Sequence, residues 1–95
     1  MAKAKEIYRN RYDFQDGAFM QAVIWEVPTP VPPSEHSFKY SLFYGRKGQR
    51  IVCYDNERGK GDHKHINEVE YPYQFESVEK LVQDFLADVE EQRND

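Results

Sequence analysis

Apolar residues recur at every second position along most of the chain from Tyr8 to Tyr54, and a three–four spacing replaces that period only after Ser77. Period two is the signature of strands, and a three–four stripe is that of one amphipathic helix. In "EIYRNRYDF" Tyr8, Tyr12 and Phe14 share a face opposite Arg9, Arg11 and Asp13. "QDG" then supplies an Asp-Gly turn, a strong hairpin signal. "AFMQAVIWEV" reads as a strand apolar on both sides, with Phe19, Val23, Trp25 and Val27 against Met20, Ala22 and Ile24. "SFKYSLFY" sets Phe38, Tyr40, Leu42 and Tyr44 against Lys39, Ser41 and Phe43. "GRKGQ" turns the chain, and "RIVCYDN" returns as the hairpin partner. Ser77 is a good helix N-cap, and Val78, Leu81, Val82, Phe85 and Val89 form the stripe behind it.

These elements predict an α+β fold: a four-stranded antiparallel meander sheet with a C-terminal helix packed on one face. Ninety-five residues predict one domain over 1–95, with frayed ends at 1–4 and 91–95. Its core is small, and the fourteen aromatic residues supply much of it. "PTPVPPSEH" holds four prolines in six residues, which cannot serve a sheet interior. It reads as a stiff surface connector, with His36 exposed beside it. Trp25 is expected in the core.

The single cysteine, Cys53, permits no internal disulfide and reads as a small buried hydrophobe. "MAKAKEIYRN" lacks the apolar region of a signal peptide, and no apolar run approaches the roughly 20 residues of a membrane span. A cytoplasmic protein that does not engage the membrane is expected. The net charge of −4 argues against non-specific nucleic-acid binding, but it is unevenly spread. Residues 46–66 carry six Lys/Arg against three Asp/Glu, and residues 67–95 carry two against nine.

That basic stretch includes "YDNERGKGDHKHI", read as a loop leaving the fourth strand. In an extended segment His63 and His65 point the same way, and two imidazoles on one face suit acid–base chemistry at neutral pH. Metal-independent RNA cleavage needs such a pair, with cations to stabilise phosphate charge; Arg58, Lys60 and Lys64 are close in sequence. Two histidines and a carboxylate such as Asp55 equally make an open site for Zn²⁺ or Fe(II), which the neighbouring cations disfavour. A third reading is a solvated turn, closed by Asp55 and Asn56 at a strand end. Tyr54, Tyr71 and Tyr73 serve either in packing or in stacking on a base.

The run "AVIWEVPTPVPPSEHSFKYSLFYGRKGQRIVCYDNERGKGDHKHI", followed by "YPYQFESVEKLVQDFLADV", resembles the TumE family of small bacterial proteins. The resemblance spans about residues 5–90, and Asp55, Asn56, His63 and His65 match its motif. It implies a toxin of a toxin–antitoxin pair whose partner is a helix-turn-helix antitoxin, TumA. In plan the family is similar to RelE-like and barnase-like ribonucleases, which place an RNA site on an antiparallel sheet.

The reading taken is a TumE-like toxin acting as a metal-independent endoribonuclease that needs no cofactor. His63 and His65 are its acid–base pair, and Asp55 orients one imidazole. Arg58, Lys60 and Lys64 hold phosphate, Tyr54 or Tyr73 stacks a base, and Asn56 completes the substrate site. These groups are expected to converge in one cleft, with the acidic helix on the far side of the sheet. A TumA-like antitoxin, RNA and a second copy of the chain are the expected partners. The alternative is a non-enzymatic module that acts through a partner protein.

Overall fold

The computed structural model describes residues 3–94. Six strands form one antiparallel sheet in chain order: β1 (Lys5–Asp13), β2 (Phe19–Glu26), β3 (Phe38–Arg46), β4 (Gln49–Glu57), β5 (Gly61–Ile66) and β6 (Val69–Pro72). The helix α1 (Val78–Arg93) follows. The α+β class and the C-terminal helix agree with the sequence reading; the strand count of four does not. The supposed loop is the end of β4, a tight turn, and β5. Arg58, Gly59 and Lys60 make that turn, where Lys60 N–H donates to Glu57 O at 3.1 Å and Gly59 takes φ +86°. A two-residue turn then joins β5 to β6, with positive φ at both Asn67 (50°) and Glu68 (71°). These are the signs of a type I′ hairpin turn, which usually carries Asn-Gly.

Pairing register fixes the two faces of the sheet. Ala22, Leu42 and Tyr54 form one cross-strand row, and Tyr44 pairs with Val52 beside it. Together with Ile24 and Tyr40 they build the core against Leu81, Phe85 and Val89 of α1. Fully burying side chains of that size stabilises by roughly 1.5–3 kcal/mol each, so three of them hold the helix down. The ladder slips between Tyr44 and Gly45, which pairs with Arg50 and leaves Ile51 as the bulged residue. Gly45 is required there by space: a Cβ would lie 2.1 Å from Gln49 O.

Ser77 caps α1, its side chain accepting from Lys80 N–H at 3.1 Å. The helix runs to Arg93, through residues expected to fray. Arg93 holds this end: its guanidinium lies 3.7 Å from the centre of the Phe14 ring and donates to Tyr44 Oη at 2.8 Å. Met1, Ala2 and Asp95 lie outside the described residues. Among the described residues no helix is long and apolar enough to cross a membrane.

The proline-rich segment is not a free connector. Val31 and Ser34 are buried, Gly59 N–H donates to Pro32 O at 2.8 Å, and Pro33 packs on Gly61. His36 is mostly buried, its ring stacked 3.9 Å from that of Phe75. The expectation of an exposed His36 fails because Asp62, far off in sequence, gives it a partner. Trp25 faces away from the core, opposite Lys39 on the side of the sheet that α1 leaves open.

Candidate functional site

The open face of the sheet carries the histidines. His63 and His65 point there from β5, His63 pairing with Asp55 and His65 with Cys53 across β4. Their rings stand edge to face with centroids 5.2 Å apart. His63 Nε2 lies 2.8 Å from Asp55 Oδ1. Among the described residues no hydrogen bond forms at that contact, and Asp55 Oδ1 is buried without a donor. The other ring nitrogen, His63 Nδ1, is 2.9 Å from Gly61 O, which fixes the ring and assigns Nδ1 its proton. Glu70 joins from β6, opposite His65, its Oε1 3.3 Å from His65 Nε2 and 3.9 Å from His63 Nε2. His65 Nδ1 is buried and has no hydrogen-bond partner among the described residues.

Cys53 lies between these groups, its Sγ 3.9 Å from Asp55 Oδ2. Burial first, and then the Asp55 charge, push its thiol up to about 11, against the opposing pull of Arg50. The thiol is therefore protonated at neutral pH and is no nucleophile.

The sequence reading placed nine residues in one site, and the structure brings only some of them together. Asp55, His63 and His65 meet. They do so on a sheet face; a cleft of about 490 Å³ lies on the helix side instead, between β5, β6 and the end of α1. The chemistry of the side chains, not the size of the hollow, marks the site. Arg58 and Lys60 project from the exposed turn at the end of the same two strands.

Tyr54, Asn56, Lys64 and Tyr73 are turned to the other side. Tyr54 Oη donates to Asp88 on α1, and Lys64 Nζ lies 3.2 Å from the same carboxylate. Tyr73 Oη donates to Asp84 at 2.7 Å. Burial and then the aspartate partner raise the ionisation of both phenols well above the ordinary tyrosine range. Asn56 is wholly buried, accepting from Tyr40 N–H at 2.9 Å and donating to Phe38 O at 2.7 Å. These four residues hold the fold together and do not converge with the histidines.

Several residues of the open face escaped the sequence reading. Glu70 is one; Arg50, beside the Cys53 thiol, is another. The signal for Glu70 was present, because a two-residue turn at Asn67-Glu68 places it opposite His65. Farther across the face, the row from Asp55 continues through Ser41 and Val23 to Arg9, and the row from Cys53 through Phe43 and Gln21 to Arg11. Phe19, Trp25 and Phe43 are only partly buried along it.

Fold and site together define a small α+β protein whose sheet has one face covered by a helix and one open face with paired histidines. A family model, Toxin TumE, matches residues 2–93, and the chain belongs to that family of toxins. No curated protein and no solved structure gives a match in the comparisons made.

Proposed function

We propose that the chain is the toxin of a toxin–antitoxin pair and acts as an endoribonuclease on its open sheet face, without a metal. The observation that carries this reading is the pair of adjacent imidazoles with Asp55 against His63. One imidazole removes the proton of an RNA 2′-hydroxyl, whose oxygen attacks the adjacent phosphorus. The other protonates the departing 5′-oxygen, so the products are a 2′,3′-cyclic phosphate end and a 5′-hydroxyl end. Gly61 O positions the His63 ring, and Asp55, 2.8 Å from Nε2, stabilises the positive charge the ring gains when it takes the proton. Arg58 and Lys60, at the end of the two strands, hold phosphate.

Arg9, Arg11 and Lys39 extend the basic surface, Arg11 lying over the Phe19 ring at 4.4 Å, and Trp25 and Phe43 offer ring faces to unpaired bases. Arg9 and Arg11 already touch Glu6 (2.5 Å) and Asp13 (3.0 Å). Solvent screens such exposed pairs, so a phosphate displaces them readily. The partner in inhibition is a helix-turn-helix antitoxin, which silences the toxin by covering this face.

The test is cleavage of total RNA by purified protein in EDTA. The expected result is cleavage by the wild type and a loss of at least about 100-fold in a folded His63→Ala/His65→Ala variant. Equal rates for the two refute the acid–base assignment.

A second reading, a non-enzymatic module that acts through a partner or a second copy, is favoured by the exposed apolar residues Ile7, Tyr12, Val69, Tyr71 and Leu86. It predicts a stable complex that breaks on substitution of those residues and is indifferent to the histidines.

A further inference from the structure

We propose that His63, His65 and Glu70, with Asp55 at their side, form a binding site for one divalent transition-metal ion of the zinc class. One donor atom from each of His63, His65 and Glu70 falls within a sphere of mutual distances below 4.8 Å. Tetrahedral ligands at zinc bond lengths of about 2.0–2.1 Å stand roughly 3.3–3.4 Å apart. The His65 Nε2–Glu70 Oε1 separation is 3.3 Å. The His63 Nε2–Glu70 Oε1 separation is 3.9 Å, and Glu70, 54% exposed, has the freedom to close it.

Two further observations point to a cation. The first is the tautomer of His63: with its Nδ1 proton donated to Gly61 O at 2.9 Å, the Nε2 lone pair faces the carboxylates. A histidine ligand to a metal characteristically has its other ring nitrogen bonded to a carbonyl in this way. The second is the buried Asp55 Oδ1, which has no hydrogen-bond donor although it lies 2.8 Å from that nitrogen. In this tautomer a neutral His63 ring sets a nitrogen lone pair against a carboxylate oxygen 2.8 Å away, and the two repel each other. A shared cation turns that repulsion into attraction, because both become ligands or near-ligands of one charge. Of the nearby cations, Arg50 beside Cys53 is paired with Glu68 at 3.4 Å. Lys64 is directed to the helix side, where Asp88 neutralises it, and Arg58 and Lys60 stand out on the turn. Two imidazoles with carboxylates suit zinc and its neighbours better than magnesium or calcium, which prefer all-oxygen sites.

The inference concerns the same residues as the proposed function but does not depend on it. Acid–base catalysis and metal ligation use the same nitrogen lone pairs, so on the proposed function an occupied site is a silenced one.

The experiment is a Zn²⁺ titration of chelator-stripped full-length protein by calorimetry, repeated with Co²⁺ to read its visible ligand-field bands. One equivalent per chain is expected, with affinity falling at least tenfold in Glu70→Gln and lost in His65→Ala, both folded by circular dichroism. Absence of binding, or binding unchanged in both variants, overturns the proposal. Zinc binding by a protein that cleaves no RNA in EDTA supports the metal site and refutes the acid–base reading. Cleavage in EDTA without zinc binding does the reverse.

Discussion

His36 Nε2 lies 2.7 Å from Asp62 Oδ2, tying the proline-rich segment to the start of β5. The same carboxylate accepts from Ser34 Oγ and from Tyr40 Oη, the latter at 2.6 Å. His36 Nδ1 in turn accepts from Phe38 N–H. Asp62 thus sits between the segment that covers one end of the sheet and the strand that carries the histidines. Its neighbours along the chain, Gly61 and His63, belong to the site itself.

The first prediction concerns acid. Burial alone raises the Asp62 carboxyl, but the donors Ser34, Tyr40 and His36 outweigh it and hold it below the ordinary carboxylate range. A depressed carboxyl contributes stability that is complete above the unfolded value of about 4 and is lost as pH falls through the lower folded value. The unfolding midpoint should therefore fall with acid below about pH 4 more steeply in the wild type than in Asp62→Asn, measured by chemical denaturation across pH. Parallel curves contradict this role for Asp62.

Gly45 tests the bulge. Its Cβ position is blocked by Gln49 O at 2.1 Å, which is backbone and cannot swing aside. Gly45→Ala should destabilise by roughly 2–3 kcal/mol in urea unfolding, the scale of an overpacked interior. Gly48→Ala meets no neighbour within 4 Å and pays only for its φ of +78°, so it should cost less, about 1–2 kcal/mol.

The end of α1 gives a third. Arg93 lies over the Phe14 ring and also reaches Asp16 at 3.2 Å. Arg93→Ala should speed amide exchange in the last turn of α1 while leaving the β3–β4 amides protected. Uniform acceleration throughout the sheet would instead mean that the contact supports the whole fold.

Binding across the open face gives a fourth. If RNA lies there, Arg9→Ala/Arg11→Ala should weaken binding several-fold at low salt and flatten its salt dependence, as expected for lost phosphate contacts. Filter binding at a series of salt concentrations measures this; an unchanged slope removes those arginines from the interface.

The first four strands and the helix were legible because their apolar residues keep one period and their ends carry Asp-Gly, Gly and Ser signals. β5 and β6 were not. "DHKHI" alternates as a strand does, but with charged and imidazole groups in place of apolar ones, and the Asn67-Glu68 turn lacks its usual glycine. Reading that stretch as a loop also hid a consequence of parity. In a strand Lys64 must face away from His63 and His65, as Tyr54, already inside the strand "RIVCYDN", must from Asp55. With β5 a strand, Lys64 joins Tyr54 on the helix side, where Asp88 receives both. The roles of His36 and Asn56 were hidden because Asp62 and Tyr40, the partners that bury them, lie 26 and 16 residues away in the chain.

The central claim is that activity resides on the open face, opposite α1. Growth after induced expression in a bacterial host lacking the antitoxin tests it most directly, with folding of each variant checked on purified protein. The account predicts arrest by the wild type and by Lys64→Ala, and unimpaired growth with His65→Ala or Asp55→Asn. Arrest by folded His65→Ala and Asp55→Asn, together with loss of toxicity in Lys64→Ala, would contradict it and move the active surface to the helix side.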